Sequence, residues 1–299
     1  MTNRREFLQY TGMAALATST PILALAKHHE QLSKRKIPGS DEYLPVIGLG
    51  NSNSFRQQDL SVASRLIDVF LEHGGRYVDV GGSSRFSVGQ LAREKGASDQ
   101  LFMGNYLDPK EGQDLADEVK AVAAGQGKSA LDLVHSRDLA GYRRQIADYR
   151  RLKDDGLVRY IGIARSGRGN HEAIMRLIED GLVDFVQSNY SLLEPEAGDR
   201  LLPLARDKGV AMNINRPFIN GDYFSIVRGQ KLPEWAAEFD CHSWAQFSLK
   251  FILSHPAVNC VLTETSKPKH ALDNLGAGLG RLPDKKAQQR MLKLIRGLR

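Results

Sequence analysis

Two titratable side chains, Asp79 and His135, each stand at the end of a short apolar run of the sequence. Runs of this kind predict buried β-strands, so both side chains are expected at strand ends. A carboxylate and an imidazole can exchange protons or stabilise charge near neutral pH. Alone, each has a common structural role, as a capping Asp or a hydrogen-bonded core His. Together at strand ends of one sheet, they are the titratable pair that predicts an acid–base site.

Other polar residues follow further apolar runs. They are the Gly81–Ser84 loop, Tyr106, Ala164 with Arg165, Gln187, Asn215 with Arg216, and the segment from Thr265 to Asn274. Ser84, His135 and Asp79 also include the residue types of a hydrolase triad. A hydrolase is disfavoured because the chain has no Gly-x-Ser-x-Gly elbow to expose a nucleophilic serine.

Eight apolar runs from residue 44 onwards must position these side chains. The predicted strands are Val46–Gly48, Tyr77–Asp79, Leu101–Tyr106, Leu131–His135, Tyr160–Ile163, Asp184–Gln187, Val210–Asn215 and Asn259–Leu262. The helices predicted between them include Leu60–His73, Gly112–Ala124, Ala140–Asp155, Glu172–Asp180, Arg200–Lys208 and Ser243–His255. Strands that alternate with helices form parallel sheets. Eight such units in about 250 residues match a closed (β/α)8 barrel, whose active site lies at the carboxyl ends of the strands.

An open, doubly wound sheet is the competing α/β fold. The motif Gly48-Leu49-Gly50 lacks the third glycine of a dinucleotide fingerprint and precedes a polar loop instead of a helix. The sequence therefore favours a single-domain (β/α)8 TIM barrel over residues 44–299. Apolar residues at helical spacing in Lys285–Arg299 predict a helix at one end of this barrel, with membrane binding as the alternative.

Several motifs resemble the aldo/keto reductase family. The run Tyr77–Leu91 resembles the family's second-strand signature, and Phe185–Leu193 resembles its sixth-strand block. Further matches in the family's order are Pro45–Gly50, Asn215–Phe218, Thr265–Pro268 and Asp273–Leu275. The resemblance covers about residues 44 to 280. It implies a barrel that uses NADP or NAD to reduce a carbonyl or sugar-like substrate.

The family's catalytic Asp, Tyr, Lys and His are only partly retained. By the resemblance, the Asp corresponds to Asp79 and the His to His135. The Tyr position holds Ser84, and the Lys position holds Tyr106, or Asn105 with a one-residue shift. A serine hydroxyl is a poor acid, so a degenerate tetrad is expected, with Tyr106 as the displaced phenol donor. A catalytically inactive barrel that binds a nucleotide or another small molecule is the alternative.

The resemblance also implies contacts with the nicotinamide end of the dinucleotide. The Ser-Asn pair of the family corresponds to Ala164 and Arg165, and its glutamine partner to Gln187. The aromatic residue that stacks on the nicotinamide corresponds to Asn215, beside Arg216. Only the glutamine is therefore unchanged.

At the adenosine end, the resemblance implies roles for Thr265, Ser266 and Asn274, with Lys267 available to a phosphate. An Arg that binds the 2′-phosphate in the family corresponds to His270, and a Lys corresponds to Glu264. Because a carboxylate repels phosphate, no strong preference for NADP over NAD is expected.

The first 26 residues have the three parts of an export signal. Arg4 and Arg5 precede an uncharged stretch, Tyr10–Ala26, that ends in a small-residue cleavage pattern. The arginine pair resembles a twin-arginine signal. The sequence thus predicts a signal peptide over 1–26, a mature N-terminal segment over 27–43, and export to the periplasm by the twin-arginine machinery. No stable membrane anchor is expected after cleavage.

Composition excludes several classes of protein. Of 299 residues, 41% are hydrophobic and 25% charged, which is typical of a folded soluble chain and not of a disordered one. The formal charge of +6 is spread along the chain, which argues against nucleic acid as a partner. The two cysteines, Cys241 and Cys260, are separated by a predicted helix, so two free thiols are expected.

Overall fold

The structure of the chain, a computed structural model, describes residues 31–108 and 114–299. Within these ranges eight parallel strands pair in a closed ring, and helices alternate with them along the chain. This arrangement confirms the predicted (β/α)8 TIM barrel. The signal peptide predicted over 1–26 and the start of the helix predicted over Gly112–Ala124 lie outside the described residues.

The bounds of the elements are as follows. The strands are β1 (Lys34–Lys36), β2 (Tyr43–Pro45), β3 (Ile47–Leu49), β4 (Tyr77–Val80), β5 (Phe102–Tyr106), β6 (Leu131–Ser136), β7 (Val158–Ala164), β8 (Phe185–Asn189), β9 (Ala211–Asn215) and β10 (Val258–Thr263). The helices are α1 (Ser61–Glu72), α2 (Ser84–Glu94), α3 (Leu115–Gln126), α4 (Tyr142–Asp154), α5 (His171–Glu179), α6 (Leu201–Asp207), α7 (Asp222–Ile226), α8 (Trp244–Leu253), α9 (Pro268–Gly276) and α10 (Lys285–Gly297).

The barrel runs from β3 to β10 in chain order, and β10 pairs with β3 to close it. Each of the eight predicted strands overlaps an observed one. Helices α2 and α9 were not predicted, because polar residues interrupt their apolar spacing. In α2, for example, only Ser84, Val88, Gly89, Leu91 and Ala92 are buried.

Alternation along the strands divides the core into two parts. Side chains such as Tyr77, Phe102, Leu133 and Phe185 point into the barrel and form an inner cluster, while the alternate residues pack against the helices. Two residues of the N-terminal hairpin formed by β1 and β2, Ile37 and Leu44, also belong to the inner cluster. The amino end of the barrel is therefore filled, and its carboxyl end carries the cavity described below.

Two further expectations concern the C-terminal half. Helix α10 buries Ala287, Met291 and Ile295 against the outer part of the core, which confirms a packed helix in this region. Cys241 and Cys260 are buried free thiols, as predicted. Among the described helices, none has the length and apolarity that crossing a membrane requires.

Candidate active site

A cavity of about 920 Å³ opens at the carboxyl ends of the barrel strands. Twelve of the residues considered for the site from sequence line it. They are Asp79, Tyr106, Ala164, Arg165, Gln187, Asn215, Arg216, Glu264, Thr265, Ser266, Lys267 and His270. The barrel brings them together because inward-facing positions at the ends of parallel strands share one rim.

Three side chains at the base of this cavity form a hydrogen-bonded cluster. The Tyr106 hydroxyl donates to Asp79 Oδ2 at 2.6 Å. The Gln187 amide donates to Tyr106 Oη at 2.7 Å and to Asp79 Oδ2 at 3.3 Å. Asp79 and Gln187 are almost fully buried. Tyr106, which the resemblance assigns to the lysine position, thus contacts Asp79.

Burial dominates the electrostatics of this cluster. It raises the pKa of Asp79 to about 7, against the opposing effects of hydrogen bonds from Tyr106 and Gln187 and the positive charge of Arg137. Burial and the charge of Asp79 together raise the pKa of the Tyr106 phenol well above its ordinary value. Two acceptor atoms, Asp79 Oδ1 and Gln187 Oε1, are buried and have no hydrogen-bond partner within the described residues. Unpaired buried acceptors of this kind are uncommon and indicate a site for a donor.

A glycine makes room for the Tyr106 ring. A Cβ atom on Gly81 would lie 2.7 Å from Tyr106 Cδ2 and 3.2 Å from Asn51 Nδ2. Gly81 has no side chain, so the ring can pack directly on its backbone. The Gly81–Ser84 loop therefore contributes to the site because Gly81 has no side chain that would displace the Tyr106 ring.

His135 does not reach the cavity, so the expectation that it faces the barrel mouth is wrong. It is fully buried and is absent from the cavity lining. Its ring lies 5.8 Å from that of Tyr106, its register partner on β5, and its Nε2 is 3.4 Å from Tyr77 Oη. Burial lowers the pKa of His135 to about 3, so the imidazole is neutral. The Tyr106 ring lies at the cavity beside it, which leaves His135 in the barrel interior.

The prediction that Ser84 faces the mouth is also wrong. Ser84 begins α2 and is fully buried. Its hydroxyl donates to Asn51 Oδ1 at 2.7 Å or to the Gly81 carbonyl at 2.8 Å, and accepts from the Gly81 amide at 2.9 Å. These contacts cap the loop and leave no hydrogen bond to His135. The hydrolase triad is therefore not assembled.

Two other sequence assignments are corrected by strand alternation and burial. Asn105 accepts a hydrogen bond from Gln126 of α3 at 2.7 Å, so it faces the helices and not the cavity. Of the two residues that the resemblance allows at the lysine position, Tyr106 is the one that lines the cavity. Asn274 is buried on α9 and does not line the cavity.

The opposite side of the cavity is formed by the ends of β7 to β10. Asn215 Oδ1 accepts from the Ser166 hydroxyl at 2.8 Å. Lys267 caps the N-terminus of α9, and its backbone amide donates to Thr265 Oγ1 at 3.1 Å. Burial, together with Lys267 and Lys269, lowers the pKa of His270, so this imidazole is neutral at pH 7. Sequence reasoning missed several lining residues that follow strand ends without a motif: Asn51, Arg56, Arg137, Ser166 and Phe224.

A scan against protein-family models finds no match. Among curated proteins, the chain is 27% identical over 115 residues to NADH-specific methylglyoxal reductase of Escherichia coli (strain K12). That match covers 36% of this chain and spans about a third, 34%, of the relative.

Solved structures match over most of the barrel. An aldo-keto reductase from Bacillus halodurans in its holo form has a TM-score of 0.71 at 20% identity, with 88% of this chain and 96% of that chain covered. An aldo-keto reductase from Klebsiella pneumoniae in complex with NADPH has a TM-score of 0.71 at 17% identity, with 88% and 95% covered. A glycerol dehydrogenase from Gluconobacter oxydans has a TM-score of 0.68 at 15% identity, with 88% and 94% covered. At such identities the matches show a shared fold, the barrel of the aldo-keto reductases.

Proposed function

We propose that this protein is an aldo-keto reductase-type oxidoreductase that uses NAD(P)(H) on a small carbonyl or sugar-like substrate. The observation that carries the proposal is the hydrogen-bonded cluster of Asp79, Tyr106 and Gln187 at the base of the cavity. In barrels of this kind the active site lies at the carboxyl ends of the strands, where these polar groups cluster. The NADPH complex of one structural neighbour and the NADH-specific activity named for the curated relative support a nicotinamide dinucleotide.

The residues around the cavity suit such a cofactor in part. Gln187 Oε1 is a buried acceptor without a partner, and the carboxamide of nicotinamide carries N–H donors. Lys267 and the N-terminus of α9 suit a phosphate group. Asn215 lines the cavity without an aromatic face, so stacking on the nicotinamide is not available there.

A bound dinucleotide would supply the hydride in the proposed reaction, and Tyr106 supplies the proton. The Tyr106 hydroxyl gives its proton to the carbonyl oxygen, and protonated Asp79 gives a proton to the phenol oxygen across the 2.6 Å contact. Above pH 7, Asp79 is ionised and accepts a hydrogen bond from the phenol, so the phenol proton is directed away from the carbonyl. We therefore propose that carbonyl reduction declines as the pH rises through 7, and that alcohol oxidation, which needs a proton acceptor, gains.

The test compares wild type, Tyr106→Phe and the control Tyr43→Phe, which removes an exposed hydroxyl of the β1–β2 hairpin. Binding of NADH and NADPH is followed by fluorescence titration, and methylglyoxal reduction by absorbance. Loss of Tyr106 should lower kcat at least a hundredfold while dinucleotide binding is kept.

Three outcomes would count against this assignment. Turnover that survives Tyr106→Phe would remove Tyr106 as the proton donor. Dinucleotide binding without turnover of any carbonyl would support the inactive binding barrel instead. No dinucleotide binding at all would overturn the proposed function.

Cofactor preference is a separate expectation. Neutral His270 and the carboxylate of Glu264 stand where the family has cations, so NADP should be favoured over NAD less than a hundredfold. An arginine contact to phosphate contributes about 1.5–3 kcal/mol, or roughly one to two powers of ten in affinity. A larger preference in the titration would show that Lys267 or Lys269 binds the 2′-phosphate.

We also propose that the protein is exported to the periplasm by the twin-arginine route. The support is in the sequence, namely Arg4 and Arg5 before the mildly apolar stretch that ends at Ala26.

A further inference from the structure

The cavity carries an excess of positive charge. Five cationic side chains line it, Arg56, Arg137, Arg165, Arg216 and Lys267, beside only two carboxylates, Asp79 and Glu264. Within residues 31–108 and 114–299, none of the five forms a salt bridge. Many arginines elsewhere are paired, as in Arg85–Glu118, Arg159–Asp132 and Arg281–Asp240. The cavity lining therefore carries a net positive charge, which favours an anionic ligand.

The five cations follow five different strands. Arg165, Arg216 and Lys267 follow β7, β9 and β10, where the contacts assigned above to the dinucleotide and its phosphates lie. Arg56 follows β3, which pairs with β10, and Arg137 follows β6, which pairs with β7. The proposed dinucleotide contacts account for the first three cations and leave Arg56 and Arg137 for the substrate.

The Arg56 guanidinium already has hydrogen-bond partners in the protein. It donates to the Asn51 carbonyl at 3.2 Å and to Asn53 Oδ1 at 3.3 Å, and its charge acts on Glu264. Arg137 differs, because within the described part of the chain its guanidinium makes no hydrogen bond. Its Cζ lies 5.1 Å from the centre of the Tyr106 ring, in a cation–π contact, and its charge acts on Asp79.

Building on the proposed function, we propose that the substrate carries an acidic group, carboxylate or phosphate, within a few bonds of its carbonyl. Arg137 binds this group while the Tyr106 hydroxyl donates to the carbonyl oxygen. The guanidinium presents planar N–H donors that match either oxyanion in a bidentate fashion. Its place against the Tyr106 ring puts the anion beside the reacting oxygen. The substrate class is thus a short oxo acid or a phosphorylated aldehyde, ketone or sugar.

Calorimetric titration with matched pairs of compounds tests this assignment. The pairs are pyruvate with pyruvamide, and dihydroxyacetone phosphate with dihydroxyacetone, each measured with and without saturating dinucleotide. At least one charged compound should bind tenfold or more tightly than its uncharged counterpart, and the pair that does so identifies carboxylate or phosphate. Arg137→Gln should weaken that compound about ten- to hundredfold and leave the uncharged one unchanged. The control is Arg144→Gln, an exposed arginine of α4, the helix after the same strand.

Equal affinity for charged and uncharged compounds would overturn the inference. A charge preference that survives Arg137→Gln would also overturn it. If that preference is instead lost in Arg216→Gln, the anion binds among the residues assigned to the dinucleotide. Failure of the proposed redox function has a different signature. In that case no dinucleotide binds, yet the charged compound still binds in an Arg137-dependent manner.

Discussion

Replacing Asp79 with asparagine should change how the stability of the protein depends on pH. Asparagine keeps the shape and one acceptor oxygen of the side chain but has no charge to bury. The comparison therefore isolates the cost of ionising a carboxyl that is 4% exposed at the base of the cavity.

The magnitude follows from the raised pKa. Asp79 titrates at about 7 in the folded protein, against 3.8 ordinarily. Between these values the folded protein holds a proton that the unfolded chain releases, so stability is greatest below the lower pKa and is lost as the pH rises through 7. The loss is about 2 kcal/mol at pH 5 and about 4 kcal/mol at pH 8. Ionisation of Asp79 therefore removes about 2 to 3 kcal/mol across this interval.

His135 acts in the opposite direction. Its pKa falls from 6.5 to about 3 on burial, so below pH 6.5 the unfolded chain binds a proton that the folded protein excludes. Its contribution is present above pH 6.5 and is lost as the pH falls, by about 2 kcal/mol at pH 5. These two groups nearly cancel in the wild type. In Asp79→Asn, the His135 contribution alone should make stability rise by about 2 kcal/mol from pH 5 to pH 8.

Urea unfolding of the chain from residue 27 onwards, at pH 5 and pH 8, measures both values. The informative quantity is the change in the free energy of unfolding from pH 5 to pH 8 in the variant minus that in the wild type. We expect it to be about 2 to 3 kcal/mol. The exposed control Asp99→Asn should leave this difference near zero. If the free energy of unfolding changes with pH by the same amount in Asp79→Asn and the wild type, within about 0.5 kcal/mol, Asp79 ionises without a burial penalty. That result would contradict the prediction.

Three further predictions concern packing, the thiols and export. Gly81→Ala places a Cβ atom 2.7 Å from the Tyr106 ring, so it should lower the free energy of unfolding by about 1–3 kcal/mol and lower catalysis as well, whereas Gly169→Ala, in open space, should do neither. Unchanged melting and activity in Gly81→Ala would show that the ring does not pack there. The two buried cysteines should react with a thiol reagent only after unfolding, and prompt reaction in the native protein would contradict their burial. Changing Arg4 and Arg5 to lysine should hold the precursor in the cytoplasm, and periplasmic delivery of that double variant in fractionated cells would rule out a twin-arginine signal.

The sequence by itself was enough to predict the barrel, because its signals are local. Short apolar runs that alternate with helical periodicity specify strands and helices wherever they occur, and eight repeats of the pair leave few ways to close a sheet. The strand-end rule also identified Asp79, Gln187 and part of the cavity lining before any contact was known. Helix α2 was missed because its polar residues hide the apolar spacing.

Only the tertiary structure decided which polar residues contact one another. Asp79 is 27 residues from Tyr106 and 108 from Gln187 in sequence, yet all three share one cluster. His135 stands at a strand end by sequence, but it is fully buried, and Tyr106, whose ring lies 5.8 Å away, lines the cavity instead. Residue spacing gives the period of alternation along a strand. The depth of each side chain depends on strand register and on the volume of its neighbours across the barrel, and these arise only when distant segments pack together.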